Sequence, residues 1–173
     1  MMSSEHDWVE GSEQYQWLEQ DLKAVDRSIT PWIVVTAHRM MYSTQLCEES
    51  DYNVSLVFRK HVEPLLLQFA VDAVMVGHQH SYERTCKVRN GTCVKVGEQG
   101  EAAQHGVVHI TAGSAGAGVE KCGFDTTGKH GNFSVVHSNQ WGYLRGHATM
   151  HNFTIEFVSD ALGTAFDQVF FEK

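Results

Sequence analysis

Thr30-Pro31-Trp32-Ile33-Val34-Val35-Thr36-Ala37-His38 and Ala73-Val74-Met75-Val76-Gly77-His78-Gln79-His80 are the two stretches whose reading decides the fold. Each is a short, apolar, β-branched run that stops at a loop, the signature of a buried strand. Each loop opens on histidine. Between them, residues 54–70 carry a helical pattern interrupted or restarted at Pro64, because proline suits a first turn but breaks a helix interior. Strand, helix, strand predicts a βαβ crossover with a parallel pair. In open α/β sheets the carboxyl ends of such strands line the functional crevice, and the histidines stand at that end.

Working outward, Ser12 followed by Glu13 and Gln14 predicts a helix start, and Tyr15, Leu18, Leu22 and Val25 then recur on one apolar face. Lys23 and Arg27 suit its far end, and Thr30-Pro31 stops it. Beyond residue 85 the texture changes to short strands: a hairpin over 86–96, then 106–111, 141–150, 153–158 and 165–171, as on the antiparallel side of a mixed sheet. The expectation is a single domain over 1–173, βαβ-type over 1–85 and β-rich over 86–173. Gly113-Ser114-Ala115-Gly116-Ala117-Gly118 matches neither a dinucleotide fingerprint nor a P-loop, so a turn needing positive φ is expected there. Trp17, Trp32 and Trp141 read as core or sheet-face aromatics.

Four of the five asparagines, Asn53, Asn90, Asn132 and Asn152, lie in glycosylation sequons, which points to a secretory history. Residues 1–7 hold neither a basic nor an apolar leader region, so the expectation is that an N-terminal portion has been removed. No apolar run approaches membrane-spanning length. The net charge of −8 argues against nucleic-acid binding, because phosphate backbones attract surplus Lys and Arg. Cys86 and Cys93 flank a hairpin tip. A two-residue Asn90-Gly91 turn would face Cys86 with Lys95, whereas a four-residue loop over 88–91 faces it with Cys93, so the longer loop and a Cys86–Cys93 disulfide are expected. Cys47 and Cys122 are left to pair with each other, stay free or join a second chain. A zinc knuckle would need a Cys-x-x-Cys pair, and there is none.

Neutral imidazole is a common ligand of zinc, iron and copper, and the extended backbone of His78-Gln79-His80 aims both rings to one side. The competing reading is a set of hydrogen-bonded histidines at a loop edge. His105 with His109, and His147 with His151, have helical spacing in strand and turn regions, so no shared ligation is expected of them; His61, His130 and His137 read as surface residues.

Glu5-His6-Asp7-Trp8, Gly11-Ser12-Glu13-Gln14-Tyr15-Gln16-Trp17-Leu18-Glu19, Thr30 to Arg39, and Gly77-His78-Gln79-His80-Ser81-Tyr82-Glu83-Arg84 together resemble the C-terminal half of a purple acid phosphatase. The likeness continues through Val107-Val108-His109-Ile110-Thr111, its glycine-rich sequel and the closing segment. The resemblance implies an α/β fold, part of a metallophosphoesterase αββα sandwich with mixed sheets and the N-terminal half missing. It implies a binuclear centre, with His38 and His78 on a divalent zinc, iron or manganese and His80 on Fe(III), that hydrolyses phosphate esters as an acid phosphatase or phosphodiesterase. Of the family's five ligand blocks only V-x-x-H, as Val35 to His38, and G-H-x-H, as Gly77 to His80, are present. The Asp, Asp-Tyr and Asn-His blocks are not, so the centre is incomplete in this chain, and the alternative is a non-catalytic remnant or binding protein keeping part of the metal site.

Family members often place a histidine between those two blocks, but residues 41–47 hold none. His6 is a candidate phosphate-side histidine, its alternative being packing beside Trp8. Tyr82, Glu83 and Arg84 are candidates for orienting the ligands, or else belong to the following turn. The implied partner is a phosphate-ester small molecule. A half-sheet exposes an edge strand, so self-association or pairing with a separate N-terminal half is also expected. The location implied is secreted, secretory-pathway or vacuolar.

Overall fold

A computed structural model describes residues 1–47, 49–94 and 105–173. Helix α1 (Glu13–Lys23) begins at Ser12, whose side-chain oxygen accepts the Tyr15 N–H, and buries Leu18 and Leu22. β1 (Val34–Thr36) follows, then α2 (Glu49–Gln68) and β2 (Ala73–Val76). β1 and β2 pair in parallel, Val34 opposite Ala73, as the βαβ reading requires.

Pro64 neither interrupts nor restarts α2, contrary to the sequence expectation. Proline costs a helix interior about 3 kcal/mol. Phe58, Val62, Leu65 and Leu66 are all at most 2 % exposed, and each contributes roughly 1.5–3 kcal/mol by burial. The apolar face therefore outweighs the missing hydrogen bond.

β3 (Tyr82–Arg89), β4 (Thr92–Cys93), β5 (Val107–Ala112) and β6 (Ser134–Ser138) complete a six-stranded sheet of order β1-β2-β5-β3-β4, with β6 also on β3. β5 joins β2 in parallel, while β3 runs antiparallel to β4, β5 and β6. β3 starts directly after the histidine loop and runs through residue 85, where the sequence placed its change of texture. β7 (Gly142–Ala148), β8 (Asn152–Ser159) and β9 (Ala165–Glu172) form a second, antiparallel sheet.

The layers are helices, mixed sheet, second sheet, and β2 shows how one strand serves two cores. Val74 and Val76 face the helices with Phe58, Val62 and Leu66, whereas Ala73 and Met75 face Phe153, Ile155, Phe157 and Phe171 of the second sheet. A strand buried on both faces reads as a continuous apolar run, which is why β2 was legible.

The tip of the 86–96 hairpin differs from expectation; its residues 95 and 96 lie outside the described residues. Val88 pairs with Cys93 and Arg89 with Thr92, so the turn is the two-residue Asn90-Gly91, both at positive φ. Cys86 and Cys93 are nevertheless joined, with Cα atoms 5.7 Å apart. The bridge runs diagonally, from a strand whose register with β5 and β6 shifts just beyond Arg84. Cys47 and Cys122 form a second disulfide. Trp32 packs against Phe153 and Phe171 as a sheet-face aromatic, but Trp17 and Trp141 are 44 % and 51 % exposed, not core residues. His61 is half-buried and packs against Trp8.

His109 on β5 is buried against Tyr42, its Nε2 has no hydrogen-bond partner, and burial, with the nearby Arg59 charge, holds its pKa down at about 3. Between pH 6.5 and 3 the unfolded chain binds a proton that the folded chain refuses, so stability falls as pH falls. His109→Gln is expected to remove a slope of about 1.4 kcal/mol per pH unit across that window, read by urea denaturation at successive pH values.

Candidate metal centre

The carboxyl ends of β1 and β2 are stitched together by the His38 carbonyl, which accepts the N–H groups of Gly77 (3.2 Å) and His78 (2.9 Å). That junction brings two rings face to edge: His38 Nε2 and His78 Nδ1 lie 2.9 Å apart. The far nitrogen of His78, Nε2, lies 3.0 Å from Asp51 Oδ2 in the first turn of α2. The other Asp51 oxygen accepts Arg39 Nη1 at 3.0 Å, and Arg39 Nε reaches Glu5 at 2.8 Å. Arg39 holds the Glu5 carboxyl below its ordinary pKa, mainly through that hydrogen bond.

His80 is held separately. Its Nδ1 lies 3.1 Å from the Gly118 carbonyl and its own carbonyl accepts the Glu120 N–H at 3.0 Å. A neutral ring so placed carries its proton on Nδ1 and leaves Nε2 unprotonated, with its lone pair free to bind a metal. The glycine-rich segment thus lies beside the histidine loop, yet of Gly113, Gly116 and Gly118 only Gly116 has positive φ. Gly113 has an ordinary φ and is demanded by contact: a Cβ there would collide with the carbonyl oxygens of Gly77 and Gln79.

Glu83 and Gln79 fix the loop over residues 41–47. Ser43 Oγ donates to Gln79 Oε1 at 2.6 Å, and the Thr44 N–H lies 3.0 Å from Glu83 Oε2, with the Thr44 hydroxyl on the other carboxylate oxygen. Tyr82 and Arg84 point to the opposite face and grip Asp167 on β9, at 2.6 Å from the Tyr82 hydroxyl and 2.9 Å from Arg84 Nη2. These three residues therefore brace the loop and the second sheet, and the bonds their side chains make run to neither His38, His78 nor His80. His6 is exposed, bonded to Ser3 Oγ at 2.8 Å, in a cleft with Asp7 and Trp17. His38 opens on a different cleft of about 420 Å³, walled by residues 1–5, Ala37 and Gly77. Trp8 packs on Phe58 and His61.

The histidine pair suits a cation. Zinc–nitrogen bonds of ~2.0–2.1 Å at a tetrahedral angle set two nitrogens ~3.3 Å apart, a few tenths more than observed. Among the described residues, the group of three His, Cys, Asp or Glu donors within 4.8 Å of one another is Cys47, Glu120 and Cys122, whose sulfurs are committed to a disulfide. His80 is accordingly not gathered onto the same point as His38 and His78.

Two family models cover most of the chain: Calcineurin-like phosphoesterase over residues 2–82 and Iron/zinc purple acid phosphatase-like protein C over 106–168. "Probable inactive purple acid phosphatase 1" of Arabidopsis thaliana is 32% identical over 98% of this chain and 28% of its own length. The purple acid phosphatase PPD1 from yellow lupin seeds superimposes with a TM-score of 0.81 at 27% identity, over 98% of this chain and 30% of that one. This chain belongs to the purple acid phosphatase family. The chain spans under a third of the length of these relatives. Barley "Nucleotide pyrophosphatase/phosphodiesterase" is 28% identical over 95% of the chain and 45% of its own length. Purple acid phosphatases are a family with a binuclear metal centre, and the mixed sheet with its second antiparallel layer is that family's fold.

Asp51 and Arg39 escaped the sequence reading. Starting α2 at residue 54 left Asp51 in a loop, whereas the helix that leaves β1 begins at the carboxyl end of the strands, so an acid in its first turn meets the site. His38 followed at once by Arg39 was the available signal.

Proposed function

We propose that this chain supplies the histidine half of a two-metal centre that hydrolyses phosphate esters, with His38 and His78 on a divalent zinc, iron or manganese and His80 on Fe(III). The observation that carries this reading is the 2.9 Å approach of His38 Nε2 to His78 Nδ1 at the ends of adjacent parallel strands. Such a metal pair, when bound, supplies an activated water and charge compensation at phosphorus. The chain's own residues orient the donors: the strand junction sets His38 and His78, and the Gly118 carbonyl sets the His80 tautomer. With a net charge of −8 the chain offers an anionic ester no long-range attraction, so its capture is local. The carboxylate, tyrosinate and amide donors that complete such a centre are those of a further segment beside the β1 end of the sheet, where the Thr36 carbonyl already accepts the Met2 N–H at 2.9 Å. Tyr82, Glu83 and Arg84 act on the site only through the loop and sheet they brace, and His6 is a phosphate-side residue only if the further segment closes over it.

A second reading, a remnant that binds metal weakly and does not turn over, is favoured by the printed names of two relatives, "Probable inactive purple acid phosphatase 1" and "9". Asn53, Asn90, Asn132 and Asn152 are all exposed, as N-glycans on a secreted or vacuolar protein require. Among the described residues no helix is long and apolar enough to cross a membrane.

Elemental analysis with p-nitrophenyl phosphate turnover at mildly acidic pH tests the proposal. The purified chain is expected to hold well under two metals and to turn over weakly or not at all, and zinc binding should vanish when His38 and His78 are both replaced by alanine. Zinc binding untouched by that double replacement overturns the assignment. Adding a segment with the aspartate and asparagine blocks should give turnover, and failure there selects the remnant.

A further inference from the structure

We propose that Asp51 is a positioning residue that locks His78 as the Nε2–H tautomer, keeping the Nδ1 lone pair turned toward His38. Its functional meaning rests on the histidine pair proposed above, but its substance is geometric. Asp51 Oδ2 and His38 Nε2 occupy opposite nitrogens of one ring, at 3.0 and 2.9 Å. A neutral imidazole has one N–H and a carboxylate only accepts, so the proton sits on Nε2 and Nδ1 is bare. The proton between the two rings then belongs to His38, whose Nε2 can bind a metal only after that proton has moved to Nδ1. The Nδ1 lone pair of His78 is already bare.

The carboxylate cannot swing away. Its second oxygen is held by Arg39 Nη1 at 3.0 Å, and Arg39 is fixed in turn by Glu5 through Nε at 2.8 Å and by Ser4 Oγ on its backbone N–H at 2.9 Å. Asp51 is only 11 % exposed, so water competes little for either oxygen. Carboxylates that hold the far nitrogen of a metal-binding histidine typically change metal affinity 10- to 100-fold when removed.

The competing role for Asp51 is that of an acid favouring the N-terminus of α2. That role shows in helix stability and leaves the His78 tautomer unmoved. The test is the pair of histidine ¹⁵N shifts, recorded without metal at mildly alkaline pH where free imidazole is neutral. The natural chain should show His78 almost wholly as Nε2–H, and Asp51→Leu should show both tautomers, with zinc binding weakened about 10- to 100-fold. If Asp51→Leu does not fold, Asp51→Asn keeps the shape but not the charge and should also give a mixture. A mixed His78 in the natural chain, or an unchanged one in a folded variant, overturns the proposal. Failure of the natural chain to bind zinc would count against the histidine-pair reading alone, because the tautomer is read without metal.

Discussion

Replacing Gly113 with alanine is expected to destabilise the chain by about 3 kcal/mol and to disperse the histidines. The new methyl group has no soft neighbour to displace: its contacts are the backbone carbonyl oxygens of Gly77 and Gln79, on either side of His78. The Gly113 N–H is itself tied to the Ser81 carbonyl at 3.2 Å, so β5 cannot retreat without breaking the pairing that starts β3. The strain is relieved only by moving the loop that carries His78 and His80. Urea denaturation measures the first effect, and loss of zinc binding the second. Gly118→Ala is the control, because a Cβ there meets nothing within 4 Å and its φ is not positive; it should be within about 0.5–1 kcal/mol of neutral. Equal costs at the two positions would mean that close packing is not what Gly113 provides.

Asp167→Ala should cost about 3 kcal/mol, since it strands two buried partners at once. Arg84 and Asp167 are 13 % and 9 % exposed in their side chains, and the Tyr82 hydroxyl donates to the same carboxylate. Burial works to raise the Asp167 pKa, but hydrogen bonds from Arg84 and Tyr82 prevail and hold it below the ordinary carboxylate value. This contribution is therefore complete above pH ~4 and is lost as pH falls through the lowered value, so it survives a mildly acidic assay. Replacing Arg84 with methionine in the same chain should restore much of the loss, because no unpaired guanidinium is then buried. A double variant no more stable than Asp167→Ala would show that the pair is not coupled.

What could be read without coordinates follows local rules. β2 and the strand ending at His38 announce themselves because burial on two faces forbids polar residues, and α1 because Ser12 caps a face repeating at three- and four-residue steps. β6 went unseen: Ser134 to Ser138 carries His137 and two serines, and it exists because β3 offers it a free edge. Pro64 misled for the converse reason, since a local penalty was met by a nonlocal gain.

The amino-acid sequence alone settled the βαβ unit and the placing of histidines at two strand ends, because each depends on residues near one another in the chain; the Cys86–Cys93 pair was reached through a turn the structure does not have. Only the tertiary structure decided which residues hold those histidines and which brace the loop and sheets around them. Asp51 meets His78 across 27 positions, Glu83 meets Thr44 across 39, and Asp167 meets Tyr82 across 85. A side-chain hydrogen bond leaves no periodicity behind, and its partner is chosen by how strands and helices stack.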